Sequence, residues 1–183
     1  MILPIYAYGH PILKKVAEPI ASDYDGLEEL IENMWETMYH ASGVGLAAPQ
    51  IGKSIRVFVV DTKQLKEEGK EEEGIKKVFI NPEIREEKGE EFAYEEGCLS
   101  IPEIRADVQR RETLKLIYLN ENFEEVTEEF EGMEARVIQH EYDHLEGVLF
   151  VEKINPLKRN IIRRKLDKIR KGKVKADYEL RFY

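Results

Sequence analysis

From Asp25 to about Ala41 the apolar residues Leu27, Leu30, Ile31, Met34, Trp35 and Met38 recur at spacings of three and four, with Glu28, Glu29, Glu32 and Glu36 between them. That period predicts an amphipathic helix with acids in its first turn, where they complement the helix dipole. Thr37 to Gly52 carries no Asp, Glu, Lys or Arg and contains Gly43, Gly45, Pro49 and Gly52, so it reads as an apolar loop. Ile55 to Val60 is a β-branched and aromatic run that predicts a strand. Lys63 to Lys77 is charge-dense and holds Gly69 and Gly74, the pattern of a solvated hairpin loop. Further short strands are predicted at 78–84, 90–94, 106–108, 113–119 and 124–130, with Leu114, Leu116 and Tyr118 sharing one face. After Gly132, the residues Met133, Val137, Ile138, Tyr142 and Leu145 trace the stripe of a second helix that ends at Gly147. Pro156 opens a third, at about 156–171, with Leu157, Ile161, Ile162, Leu166 and Ile169 as its apolar face.

These elements imply an α+β fold: short, mostly antiparallel strands around a central helix, with an N-terminal helix and a C-terminal helix outside. No repeat or long linker divides the 183 residues, so 1–183 is expected to form a single domain. With 42% apolar residues the chain can build a core. Its 28 basic against 37 acidic side chains, net −9, exclude an overall basic nucleic-acid binder, and no DNA is expected as a partner. The lone Cys98 cannot close an intramolecular disulfide. No segment has the ~18 apolar residues of a membrane span, nor does the N-terminus show a basic region followed by an apolar run. The expectation is a cytoplasmic protein with no membrane partner.

Charge is unevenly placed. Between Lys153 and Lys175 eleven Lys or Arg face Asp167 alone, a net of +10, which leaves −19 for the rest of a chain at −9. A solvated helix face accounts for such a run; so does a surface that docks on RNA.

The string His140-Glu141-Tyr142-Asp143-His144 sets two imidazoles at i and i+4, one turn apart on one helix face, where both reach a single metal ion. Glu141 then lies beside the ion's water. A catalytic site of this kind takes three protein ligands and keeps a fourth place for water, so a third ligand is required. A distal Glu some twenty residues on is missing, because Ile162, Arg163, Arg164 and Lys165 occupy that region. In the pattern H-E-x-x-H-x-x-G-x-x-H, Gly147 fits but Phe150 stands where the last His belongs. Neither peptidase pattern is complete. Cys98, in Glu96-Gly97-Cys98-Leu99-Ser100, is by itself better read as a buried small hydrophobe than as a ligand. Beside two histidines it makes a three-ligand set suited to Zn or Fe(II).

Three motifs in order, Gly43-Val44-Gly45-Leu46-Ala47-Ala48-Pro49-Gln50, Glu96-Gly97-Cys98-Leu99-Ser100 and Gln139-His140-Glu141-Tyr142-Asp143-His144, make the chain resemble the peptide deformylases over nearly its whole length. The resemblance implies a hydrolase that removes the formyl group from the N-terminal formylmethionine of newly synthesised polypeptides. It implies that Cys98, His140 and His144 hold one divalent ion, natively Fe(II), with Zn, Ni or Co as substitutes. Glu141 would be the general acid/base, and the Gln50 side-chain amide and the Leu99 backbone N–H would stabilise the oxyanion. Val44, Gly45 and Gly97 would pair with the substrate backbone, and Tyr94, Met133 and Val137, with Val44 and His140, would line the methionine pocket. Glu96 and Arg110 would form a supporting ion pair. Arg136 stands where the family more often has a smaller apolar residue, so its aliphatic stem is expected at the pocket rim. His10 and His40 match no motif. A substrate still being synthesised also favours docking of the basic C-terminal helix on the ribosome.

Overall fold

The computed structural model describes residues 1–183. Its three α-helices follow the sequence periods: α1 is Leu27–His40, α2 is Gly132–Leu145 and α3 is Pro156–Arg170. At the start of α3 the Leu157 N–H donates to the Asn155 side chain at 2.8 Å, while Pro156 has no N–H to satisfy. Only Ile162, Leu166 and Ile169 of its expected apolar face are buried; Leu157 and Ile161 are 75% and 73% exposed. At 100° per residue those two lie about 80° or more away from the other three, so one helix cannot bury all five against one neighbour.

Five strands, β2 (Gly45–Ala47), β3 (Val57–Asp61), β4 (Lys76–Cys98), β5 (Ile101–Leu119) and β6 (Glu125–Glu131), form an antiparallel sheet in that order. A two-stranded parallel pair joins β1 (Ile5–Tyr6) to β7 (Leu180–Arg181), a link between the chain ends with no sequence signal. The class is α+β, as expected, but the strands are not all short. The runs read as separate strands fuse into a 23-residue β4 and a 19-residue β5. Pro82, inside the predicted run 78–84, and Gly89, between two predicted runs, fall at register shifts between Ile80 and Glu83 and between Lys88 and Glu91. A bulge bends a strand without ending it, and it accepts a residue that has no N–H for the ladder.

All five residues of β3 are buried, because helices cover both faces of the sheet there. Val57 and Val59 pack with Leu30, Met34 and Met38 of α1, whereas Phe58 and Val60 pack with Ala135, Val137, Ile138 and Leu145 of α2. The predicted face of Leu114, Leu116 and Tyr118 joins this second cluster. A third cluster sets Ile162, Leu166 and Ile169 of α3 against Ile101, Ile104, Ala106 and Val108 of β5. The apolar stretch read as a loop holds α1's last residues, β2 and a buried 3-10 turn, Ala48–Ile51. The charged loop before β4 carries two exposed 3-10 turns. Helix α2, with nine of its fourteen residues buried, is the central helix.

Candidate metal centre

Cys98 ends β4, and Leu99-Ser100 form the two-residue connection to β5, so Cys98 and Ile101 pair across a tight hairpin. This hairpin delivers the thiol to the face of α2 that carries His140 and His144. One ligand atom from each of Cys98, His140 and His144 lies within 4.8 Å of the others, and Cys98 Sγ is 3.4 Å from His144 Nε2. Donors of this softness and count fit a zinc or ferrous ion.

Electrostatics support a cation there. His140 Nδ1 pairs with Glu96 Oε1 at 2.9 Å, leaving Nε2 to face the thiol. Burial pushes the His140 ring toward its neutral form, but hydrogen bonds to Cys98 and Glu96 outweigh that and raise its pKa well above the ordinary value. Burial lowers His144 well below its ordinary value, aided by the charges of His140 and Arg110, so this ring stays neutral and keeps a lone pair for an ion. A carboxylate behind a ligating imidazole orients the ring and raises its basicity.

Glu96 holds a larger network than an ion pair. Arg110 donates Nε and Nη2 to its two oxygens at 2.6 and 3.0 Å, and Arg136 donates Nη1 to Oε2 at 2.7 Å. Burial raises the Glu96 carboxyl, but hydrogen bonds from His140 and Arg110 and their charges hold it well below the usual carboxylate range. Arg110 also reaches Asp143 at 2.9 Å. Arg136 lines the cleft, as expected, but its charge turns inward: it is 2% exposed, donates to the carbonyls of Val108 and Phe92, and lies with its guanidinium 4.5 Å from the Phe92 ring centroid. The apolar pattern of α2 gave no sign that its charge turns inward.

Glu141 is 4% exposed, and its Oε2 has no hydrogen-bond partner. Burial pushes this carboxyl up to about 7, against the opposing pull of His140. A carboxylate with free acceptor capacity at the wall of a cleft can carry protons in both directions near neutral pH. Gln50, in the 3-10 turn, is 1% exposed. Its Oε1 accepts from Ala47 N at 3.0 Å, while Nε2 donates to Ser100 Oγ at 3.1 Å and more weakly to Cys98 Sγ at 3.6 Å.

A model of the family described as polypeptide deformylase matches residues 2–160. The chain belongs to the polypeptide deformylase family. A peptide deformylase of Christiangramia forsetii is 53% identical over 189 aligned positions, covering 100% of this chain and 96% of the relative. The crystal structure of the Thermotoga maritima peptide deformylase is 46% identical, with a TM-score of 0.75 over 85% of this chain and 99% of that one. A plant peptide deformylase crystal structure is 34% identical, with a TM-score of 0.84, and covers 93% of this chain and 90% of that one.

The deformylase site opens into a cleft of about 700 Å³. Val44, Gly45, Gln50, Tyr94, Glu96, Gly97, Cys98, Leu99, Met133, Val137, His140 and Glu141 line it. His144 and Arg110 lie behind these residues, buried at 1% and 4% exposure. Met133, Val137 and Tyr94 supply apolar surface; Tyr94 is 45% exposed at the mouth. The cleft also has a wall that the sequence reading missed, made by Lys175, Ala176, Asp177 and Tyr178. No residue pattern in that tail announces it.

Proposed function

We propose that Cys98, His140 and His144 hold one divalent ion and that Glu141 is the general acid/base in removing the formyl group from formylmethionyl nascent peptides, the reaction of the family to which the chain belongs. The observation that carries this reading is the convergence of the three donors beside a buried carboxylate that has no hydrogen-bond partner on Oε2. A divalent ion bound there lowers the pKa of a coordinated water toward about 7 and polarises the formyl carbonyl. Fe(II) is the proposed native ion, with Zn, Ni and Co as substitutes, because one thiolate and two imidazoles suit each of them.

Glu141 takes the proton of the attacking water and returns it to the leaving amine, so one carboxylate serves both halves of the cycle. Gln50 Nε2 and the Leu99 N–H donate to the oxygen of the formyl group as it gains charge. Of the two contacts of Gln50 Nε2, the 3.6 Å one to sulfur is the weaker and the one a substrate oxygen replaces. Glu96, anchored by Arg110, keeps His140 oriented. Val44, Gly45 and Gly97 pair with the peptide backbone as with an added strand, and Tyr94, Met133 and Val137 receive the methionine side chain.

In this reading 1–183 act as one catalytic domain, in the cytoplasm where nascent chains are made. No helix is long and apolar enough to cross a membrane. The basic face of α3, with Leu157 and Ile161 exposed beside it, supports docking on ribosomal RNA. A three-substrate comparison tests the catalytic reading: a formyl-Met tripeptide, the same peptide with a free amine, and casein. Formate from the first and no cleavage of the other two is expected; peptide-bond cleavage in casein would overturn it.

A further inference from the structure

The family match ends at residue 160, yet the chain continues for 23 residues and returns to the cleft. Two anchors bring it there. At Gly172, φ +67 reverses the backbone, and the Phe182 ring lies 3.5 Å from where a β-carbon would project. Further on, β7 pairs with β1, with Ile5 and Ala7 N–H donating to the carbonyls of Glu179 and Arg181 at 2.9 Å each. Between the anchors, residues 175–178 cross the cleft wall, and Tyr178 donates its hydroxyl to the Leu99 carbonyl at 2.7 Å.

That contact converges with others on one short segment. Ser100 O accepts from Tyr8 N at 2.8 Å, just beyond β1, and Ser100 Oγ accepts from Gln50 at 3.1 Å. The Cys98–Ser100 turn therefore carries a ligand, a donor N–H and the anchor of Gln50, and its Leu99 carbonyl is fixed by a side chain that lies beyond the family-model match. A two-residue hairpin turn has two soft dihedrals per residue, and a hydrogen bond to the Leu99 carbonyl restricts the rotation that aims the neighbouring peptide groups. Tyr178 and Leu99 are both partly buried and pack against the cluster that contains α1's apolar face.

We propose that Tyr178 is a positioning residue of the deformylation reaction, holding the Leu99 turn so that its backbone N–H meets the oxygen of the reacting formyl group. The proposal rests on the assignment of Leu99 N–H as an oxyanion donor. A donor misplaced by a fraction of an ångström loses much of its effect in the transition state while leaving ground-state binding intact.

The test compares the metal-loaded wild type with Tyr178→Phe, which keeps the ring and loses the hydroxyl, and with Gln50→Ala, using formyl-Met-Ala-Ser. For Tyr178→Phe we expect kcat to fall about tenfold, with KM within about twofold and bound metal unchanged. Unchanged kcat overturns the proposal, whatever the melting temperature does. So does a loss of kcat that tracks lost metal, or one confined to KM. Gln50→Ala separates the two readings: a kcat loss of about 10²-fold or more there supports the oxyanion assignment even when Tyr178→Phe is silent, and an undiminished kcat refutes it.

Discussion

A β-carbon on Gly45 would lie 2.7 Å from Glu141 Oε1 and 2.8 Å from its Cγ. Strand β2 thus presses bare backbone against the side of the Glu141 carboxyl, the proposed general acid/base, which only glycine permits. Gly45→Ala is predicted to push Glu141 out of line and to lower kcat by about 10²-fold, with metal retained. Steady-state kinetics with metal analysis on the same sample checks this.

The roles of ligand and proton carrier separate by mutation. Glu141→Gln keeps the size of the side chain and removes its basicity, so kcat should fall by about 10²- to 10⁴-fold with the ion still bound. Cys98→Ala should instead release the ion, with activity lost in proportion. Metal content after gel filtration distinguishes the two.

Glu96 is the single carboxylate between Arg110, Arg136 and His140. Glu96→Ala leaves the 2% exposed Arg136 with no carboxylate and the 4% exposed Arg110 with Asp143 alone, so a destabilisation of about 3 kcal/mol is expected in urea unfolding. Lys88 and Glu129, an exposed pair 3.0 Å apart, set the contrast: Glu129→Gln should leave the unfolding midpoint nearly unchanged.

Reading outcomes of this kind from sequence has physical limits that the residues make plain. The three helices were legible because periods of three and four are local, and the motif histidines on α2 were legible for the same reason. Cys98 was legible only because two histidines needed a third partner. The long β4 and β5 were not, since bulges absorb Pro82 and Gly89 through cross-strand geometry that a linear pattern does not carry. The inward turn of the Arg136 charge was not legible, because a polar side chain looks the same in sequence whether it faces water or three buried acceptors. Tyr178 was invisible: its anchor β7 pairs with a strand at the opposite end of the chain.

Acid stability offers another check. Glu152 accepts from Lys14 Nζ at 2.6 and 2.7 Å and from the Leu149 N–H at 2.7 Å. Burial raises its carboxyl, but these donors win and hold it below the ordinary 4.5. A folded-state pKa below the unfolded one stabilises fully above the unfolded value, and that stability drains away as pH falls through the folded value. Glu152→Gln should therefore differ from wild type most at pH 7, by roughly a few tenths of a kcal/mol, the scale of a solvent-screened pair, and the gap should narrow below about pH 4.5. Equilibrium unfolding at both pH values gives the answer.

Charge reversal of the basic helix probes ribosome docking. Lys158, Arg163 and Lys165 are exposed on α3. Changing all three to Glu should abolish co-sedimentation with ribosomes at low salt while leaving deformylation of a free tripeptide intact. Unaltered co-sedimentation would remove this part of the account.

The most direct measurement is formate release from a formyl-Met tripeptide by protein purified without oxygen, with bound metal quantified in the same sample. The account predicts one divalent ion per chain, Fe(II) first among them, and turnover of roughly 10 s⁻¹ or more that disappears in Cys98→Ala. A fully metallated protein that releases no formate would contradict it.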